Sequence, residues 1–152
     1  MLSIRPYESD DWQAIAAIHD AARLLELRMT VGEEAFLSLA ETAENEGLFS
    51  GELWVATQDD HVVGFVALRD DEITWLYVDP ALHRQGIGRA LFSHAVHRCR
   101  TVVRVETLAG NEPALALYLS EGFDVVETKT GRLTGNERFA ATGHLLVRTN
   151  ES

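Results

Sequence analysis

Apolar positions along the chain change their spacing twice. Leu2 to Arg5 predicts a short strand ahead of Pro6, and Ser9 or Asp10 can cap the helix that follows. That helix carries Trp12, Ile15, Ala16, Ile18 and His19 on one face. A second helical pattern puts Phe36, Leu37, Leu39 and Ala40 inside and Glu33, Glu34 and Glu41 outside, with Gly47 as its stop. The middle of the chain then turns to β-branched and aromatic runs. These are Leu53–Ala56, Val62–Leu68 and Ile73–Val78, separated by the polar turns Gln58–His61 and Arg69–Asp71. Turns this short join antiparallel neighbours, so the region predicts a meander.

After Val78 the period alternates again. A helix begins near Ile87, a strand covers Val102 to Thr107, a second helix follows Asn111, and strands cover Phe123 to Thr128 and His144 to Arg148. No repeat, low-complexity tract or linker divides the chain, so residues 1–152 are expected to form one mixed α/β domain. The stretch Thr128 to Phe139 is unusually polar for a hairpin. It reads as a mobile loop or, in preference, a solvated connection.

Composition narrows the function. Of the 152 residues 46% are hydrophobic and 24% charged, as in a folded globular protein. No apolar run approaches the roughly 18 residues of a spanning helix, and the N-terminus lacks a secretory pattern. A cytoplasmic protein without membrane contact is expected. The formal charge of −11 argues against general nucleic-acid binding, which needs clustered Lys and Arg. Arg84, Arg89, Arg98, Arg100 and Arg104 nevertheless fall in one central stretch, as suits a small anionic ligand there. The single cysteine, Cys99, cannot form an internal disulfide and reads as a packing residue.

The segment His83-Arg84-Gln85-Gly86-Ile87-Gly88-Arg89 follows a strand and a turn at Pro80 and opens a helix. Gly86 and Gly88 leave first-turn amides unscreened, and the helix's positive end favours an anion there. Glycine at a helix start costs roughly 1 kcal/mol relative to alanine, so two of them call for a reason. A nucleotide-hydrolase phosphate loop fails, because no Lys-Ser/Thr follows the glycines. A dinucleotide site would use Glu106, 20 residues beyond Gly86, as its ribose-binding acid. Against it, Leu91 occupies the third glycine position, and the run from Val78 to Gly86 is too long for the tight turn required.

Strand, Val78-Asp79-Pro80, a loop and then x-x-x-Gly-x-Gly resembles the acetyl-CoA motif of the GCN5-related N-acetyltransferase (GNAT) superfamily, with His83 standing where Gln or Arg is usual. A second stretch, Asn111-Glu112-Pro113-Ala114-Leu115-Ala116-Leu117-Tyr118 leading to Gly122-Phe123, is similar to that superfamily's later motif. Asn111 suits a helix cap, Pro113 a first turn and Gly122 a left-handed stop. The resemblance implies a mixed, mostly antiparallel central sheet of six to seven strands with about four helices. It also implies acetyl-CoA as co-substrate and no metal. The strands Glu72–Val78 and Val102–Thr107 would splay apart, with the pantetheine arm bonded to main chain at Leu76, Tyr77 and Val78. The pyrophosphate would lie on His83 to Arg89, with Asn111, Ala114 and Tyr118 completing the cofactor contacts.

Acetyl transfer needs a neutral amine, whose ordinary pKa is about 10.4, so a base must take a proton. Glu72 lies six residues before Val78, which resembles the placement of the catalytic glutamate in the histone-acetyltransferase branch. It can equally be the last residue of an acidic turn, and Glu106 is an alternative base. Tyr118 follows Asn111 by two helical turns and is the implied acid for the departing thiolate, with an N–H near Val78 meeting the oxyanion. In relatives the acceptor wall comes from the region Arg23 to Glu46 and from the tail, where His144 can face the acceptor. A small-molecule amine or a peptide is the expected acceptor, and a homodimer stays open. A non-catalytic acyl-CoA-binding module is the alternative from another class.

Overall fold

The structure, a computed structural model, describes residues 1–150. Seven strands form one sheet in the order β1-β2-β3-β4-β5-β7-β6. Strands β1 (Leu2–Pro6), β2 (Glu52–Gln58), β3 (His61–Arg69) and β4 (Glu72–Val78) make the antiparallel meander. Its two tight turns are Asp59-Asp60 and Asp70-Asp71, and all four residues have positive φ, from 51° to 66°. Two-residue hairpins whose twist matches the strands require this conformation, and aspartate tolerates it.

Helix α1 (Trp12–Met29) covers one face of the meander and buries Ile15 and Ile18 against Val55, Phe65 and Ala67. The helical pattern around residues 33–41 does not give one helix. The chain makes a 3-10 turn at Glu33–Ala35, runs extended through Phe36, and forms only one turn, α2 (Leu39–Thr42). Ser38 starts that turn by exchanging hydrogen bonds with Glu41, and Ala40 is exposed rather than inside. The local cap at Ser38 outweighs the weak apolar period ahead of it.

Helix α3 (Ile87–Arg98) and helix α4 (Glu112–Ser120) share the other principal core. There Leu91, Phe92, Val103, Tyr118 and Phe123 pack with Val66 and Leu146, each apolar side chain contributing roughly 1.5–3 kcal/mol. Cys99 is buried in this core, and burial pushes its thiol up to about 11, which suits a packing residue. No helix among the described residues is long and apolar enough to cross a membrane.

The sheet divides between β4 and β5 (Val102–Leu108). These parallel neighbours are in register only at Glu72↔Arg104 and Ile73↔Val105. Beyond that point β5 continues along β7 (Ala140–Thr149), which pairs in turn with β6 (Asp124–Arg132). The polar stretch from Thr128 stays in β6 as far as Arg132, so the expected connection shrinks to the turn before β7. The tip is not simply solvated. Leu133 is buried against Leu27 and Ala35, and Asn136 Nδ2 donates to Ala35 O at 3.0 Å. Strand β6 is exposed along its whole length, which removes the alternation that would mark a strand.

Candidate active site

The glycine segment is fixed from both ends. At the end of β4, Asp79 N donates to Val63 O and the Asp79 carboxylate accepts from Ala81 N, both at 2.9 Å. A 3-10 turn at Pro80–Leu82 and an extended His83 then lead to Arg84 and Gly86, whose φ values are +66° and +81°. Arg84 in this region is strained for a side-chain-bearing residue, as often at ligand sites. Ile87, 2% exposed, anchors the helix start in the core.

The first bond into the helix runs from Ala90 N to Gly86 O. The amides of Ile87, Gly88 and Arg89 therefore have no main-chain acceptor among the described residues. A Cβ added at Gly86 would meet nothing within 4 Å, and one at Gly88 only Val78 Cγ2 at 3.6 Å. Open space lies over donors at the positive end of a helix, which is an anion seat. His83, Arg84 and Gln85 are exposed beside it. Its two arginines differ: Arg89 Nη1 is held by Glu121 Oε2 at 2.5 Å, whereas Arg84 makes no ion pair among the described residues.

From this seat the gap between β4 and β5 runs back along Leu76, Tyr77 and Val78. These residues pair with β3 on one side and, among the described residues, lack strand partners on the other. Alternate main-chain groups on that edge are left for a ligand with amide groups of its own. Helix α4 stands beside the gap. Asn111 caps it through Oδ1, which accepts from Ala114 N at 3.3 Å, and Ala114 packs on the core. Tyr118 is 6% exposed, with its ring 4.7 Å from that of Phe92. Burial, followed by the charge of Glu26, pushes the Tyr118 hydroxyl above its ordinary pKa, so it keeps its proton.

A cleft of about 1130 Å³ opens between α1, the paired start of β4 and β5, and the β6–β7 hairpin. Glu72 and Glu106 both line it, so β5 turns Glu106 toward the cleft rather than into the core. Burial, and next the charge of Glu106, raise the Glu72 pKa, while Arg104 and Arg69 pull it down. Arg104 Nη2 stands 3.9 Å from Glu72 Oε1, a loose pairing that leaves the carboxylate available. His144 also lines the cleft, with Nδ1 2.8 Å from Thr128 Oγ1. The cleft is lined by Glu72 and reaches Tyr77, and its lining includes neither Tyr118 nor the glycine segment.

A polar stripe on α1 lines this cleft, and it was missed in the sequence. His19, Arg23 and Glu26 recur at i, i+4 and i+7, beside the buried Ile15 and Ile18. His19 is 3% exposed, shares Nδ1 with Asp20 Oδ1 at 2.9 Å, and packs edge-on against Tyr77. Burial lowers its pKa, with Asp20 opposing, which favours the neutral ring. Glu26 accepts from Arg23 Nη1 at 2.8 Å, Tyr77 OH at 3.0 Å and Asn111 Nδ2 at 3.0 Å. The Asn111 side chain is thus bonded within the protein at both its ends. The available signal was that Arg23 and Glu26 continue, at i+4 and i+7, the helix face on which His19 lies.

Known proteins share the domain and the fold. Residues 49–125, half of the chain, match the model of an acetyltransferase (GNAT) domain. The peptidyl-lysine N-acetyltransferase YjaB of Salmonella typhimurium is 37% identical over 103 residues, spanning 64% of this chain and 68% of that protein. A GCN5-related N-acetyltransferase of Rhodopseudomonas palustris superposes with a TM-score of 0.79 at 21% identity, over 97% of this chain and 95% of the other. The yncA protein of Salmonella typhimurium, solved with its cofactor acetyl-CoA, gives 0.72 at 20% identity over 99% and 95%. The family model and the YjaB relative together identify the chain as a member of the GNAT acetyltransferase family.

Proposed function

We propose that the protein transfers an acetyl group from acetyl-CoA directly to a lysine side chain of a peptide, with Glu72 as base and Tyr118 as acid. The observation that carries this reading is the unpaired β4 edge, which runs from the free amides at Ile87–Arg89 back to the wall of the cleft. Bound acetyl-CoA supplies an activated acetyl thioester. The residues fit it: the amides of Gly86, Ile87, Gly88 and Arg89 with Arg84 suit the pyrophosphate, and His83 and Gln85 flank them. The edge at Leu76, Tyr77 and Val78 suits a peptide-like arm, and Ala114 borders it from α4.

The rest is proton handling by this chain. In the cleft, Glu72 accepts a proton from the acceptor ammonium and leaves the amine neutral. Its raised pKa brings its proton affinity closer to that task. Tyr118, kept protonated by burial, donates into the gap toward the leaving sulfur. Glu106 adds negative charge beside Glu72, favouring a cationic acceptor. Asn111 acts through the cap of α4 and its bond to Glu26.

YjaB of Salmonella typhimurium bears the name peptidyl-lysine N-acetyltransferase, which supports a peptide acceptor here. The test follows free thiol release from acetyl-CoA with lysine peptides, the same peptides acetylated on lysine, and a panel of small amines. Release with the free-lysine peptides alone supports the reading. Turnover confined to small amines overturns the peptide assignment.

A further inference from the structure

At the level of Tyr77 no strand pairing among the described residues joins the two halves of the sheet, since β4 and β5 separate after Ile73↔Val105. What spans the gap there is the carboxylate of Glu26. Its Oε1 takes the Tyr77 hydroxyl, from the meander half, and Arg23 Nη1. Its Oε2 takes Asn111 Nδ2, from the turn that leads β5 into α4. The surroundings hold Glu26 to this geometry. Its side chain is 16% exposed, and Leu27 beside it is fully buried against Leu108. The backbone is close as well: a Cβ at Gly110 would stand 2.5 Å from Met29 O, so the β5–α4 turn rests directly on the end of α1.

We infer that Glu26 is a positioning residue that sets the separation of β4 and α4 across the gap and thereby places the Tyr118 hydroxyl beside the β4 edge. Asn111 is the hinge of this arrangement. One end of its amide caps α4 and the other is held by Glu26, so the start of the helix cannot shift without breaking a bond. Tyr118 lies two turns further along the same helix. A carboxylate suits the role because both its oxygens accept, while every neighbour named above donates. Glutamine keeps the shape but turns one acceptor into a donor, which then faces a group that can only donate, either Asn111 Nδ2 or Arg23 Nη1, and breaks that bond of the link. Aspartate is too short to reach both sides.

The inference rests on Tyr118 being the proton donor, and the test separates the two claims. Steady-state kinetics and acetyl-CoA affinity are measured for the wild type, Glu26→Gln, Tyr118→Phe and the double variant. Glu26→Gln is expected to lower kcat about tenfold while changing acetyl-CoA affinity by less than about threefold. In the Tyr118→Phe background it should have no further effect, because the group it positions is gone. Equal losses in both backgrounds, or wild-type kcat in Glu26→Gln, overturn the positioning role alone. Wild-type kcat in Tyr118→Phe overturns the Tyr118 reading, and the inference falls with it. Tyr77→Phe removes one of the three donors and leaves the carboxylate in place. It carries the same comparison if Glu26→Gln does not fold.

Discussion

Within the glycine segment every group that makes the anion seat lies between Val78 and Leu91, and its shape comes from local rules. Asp79 closes a turn, Gly86 takes the left-handed conformation and Ile87 roots the helix. The cleft beside Glu72 is assembled differently. It draws His19 and Arg23 from α1, Glu72 from β4, Glu106 from β5 and His144 from β7, residues far apart in the chain. A seat built from consecutive amides tolerates most side chains around it, because main chain does the binding. A cleft built from separate elements takes its chemistry from whichever side chains those elements present. The glycine segment thus rests on main-chain groups, and the cleft on side chains from four elements.

The sharpest way to break this contrast is Gly86→Val. The added side chain would meet no protein atom near its Cβ, so any effect on binding comes from strain and from filling the ligand's space. Strain at φ +81° costs about 1–2 kcal/mol, enough to lower the melting temperature without unfolding the protein. Acetyl-CoA affinity should fall at least about 100-fold, or about 2.8 kcal/mol, by titration calorimetry. Normal affinity would mean that these amides are not the donor site.

Tyr118→Phe comes next, because it tests whether donor binding and chemistry separate. Removing a general acid typically costs about 100-fold or more in rate. Here kcat should drop by that order while acetyl-CoA affinity stays within about threefold, since the buried ring against Phe92 is retained. A wild-type kcat would remove Tyr118 from the mechanism.

The same contrast explains what could be read in the sequence. The meander turns, the glycine seat and the Asn111 cap were legible because each is decided by a few adjacent residues with special backbone demands. The Glu26 link was not, although its three neighbours were all visible. Arg23 shares its helix, but Tyr77 and Asn111 meet Glu26 only once α1 lies across the divided sheet. The reduction of α2 to one turn and the extension of β6 from Thr128 to Arg132 were missed for a related reason. Both are stabilised by what they touch, through the Ser38 cap, the pairing with β7 and the buried Leu133, rather than by a periodic face of their own.

A finer test on the cleft side uses Glu106→Gln. Burial and the Glu106 charge both raise the Glu72 pKa, so the rate with a saturating amine should fall as pH drops through that raised value. Neutralising Glu106 removes one of the two causes. The acid limb should then move to lower pH, with the rate at neutral pH changed less than about twofold. A limb that stays in place would show that Glu72 is not the titrating base, and Glu72→Gln, which should abolish the limb, checks the assignment directly.

The smallest effect sharpens the donor side. Arg84 and Arg89 flank the same seat, and by sequence they are equivalent. In the structure Arg89 is committed to Glu121, while Arg84 is exposed, without an ion pair among the described residues, and held by a left-handed backbone near Gly86. Arg84→Ala should therefore weaken acetyl-CoA binding about three- to tenfold at low salt, the scale of one partly exposed charge on a phosphate. Arg89→Ala should change it less than about twofold, since the loss of the cation is offset where its own ion pair is also lost. Raising the ionic strength toward about 1 M, where the screening length is about 3 Å, should shrink the Arg84 effect. Equal losses for the two arginines would mean that the Glu121 pairing yields to the ligand. The seat would then be completed by a side-chain movement rather than by main chain alone, and donor and acceptor sites would differ less than their construction suggests.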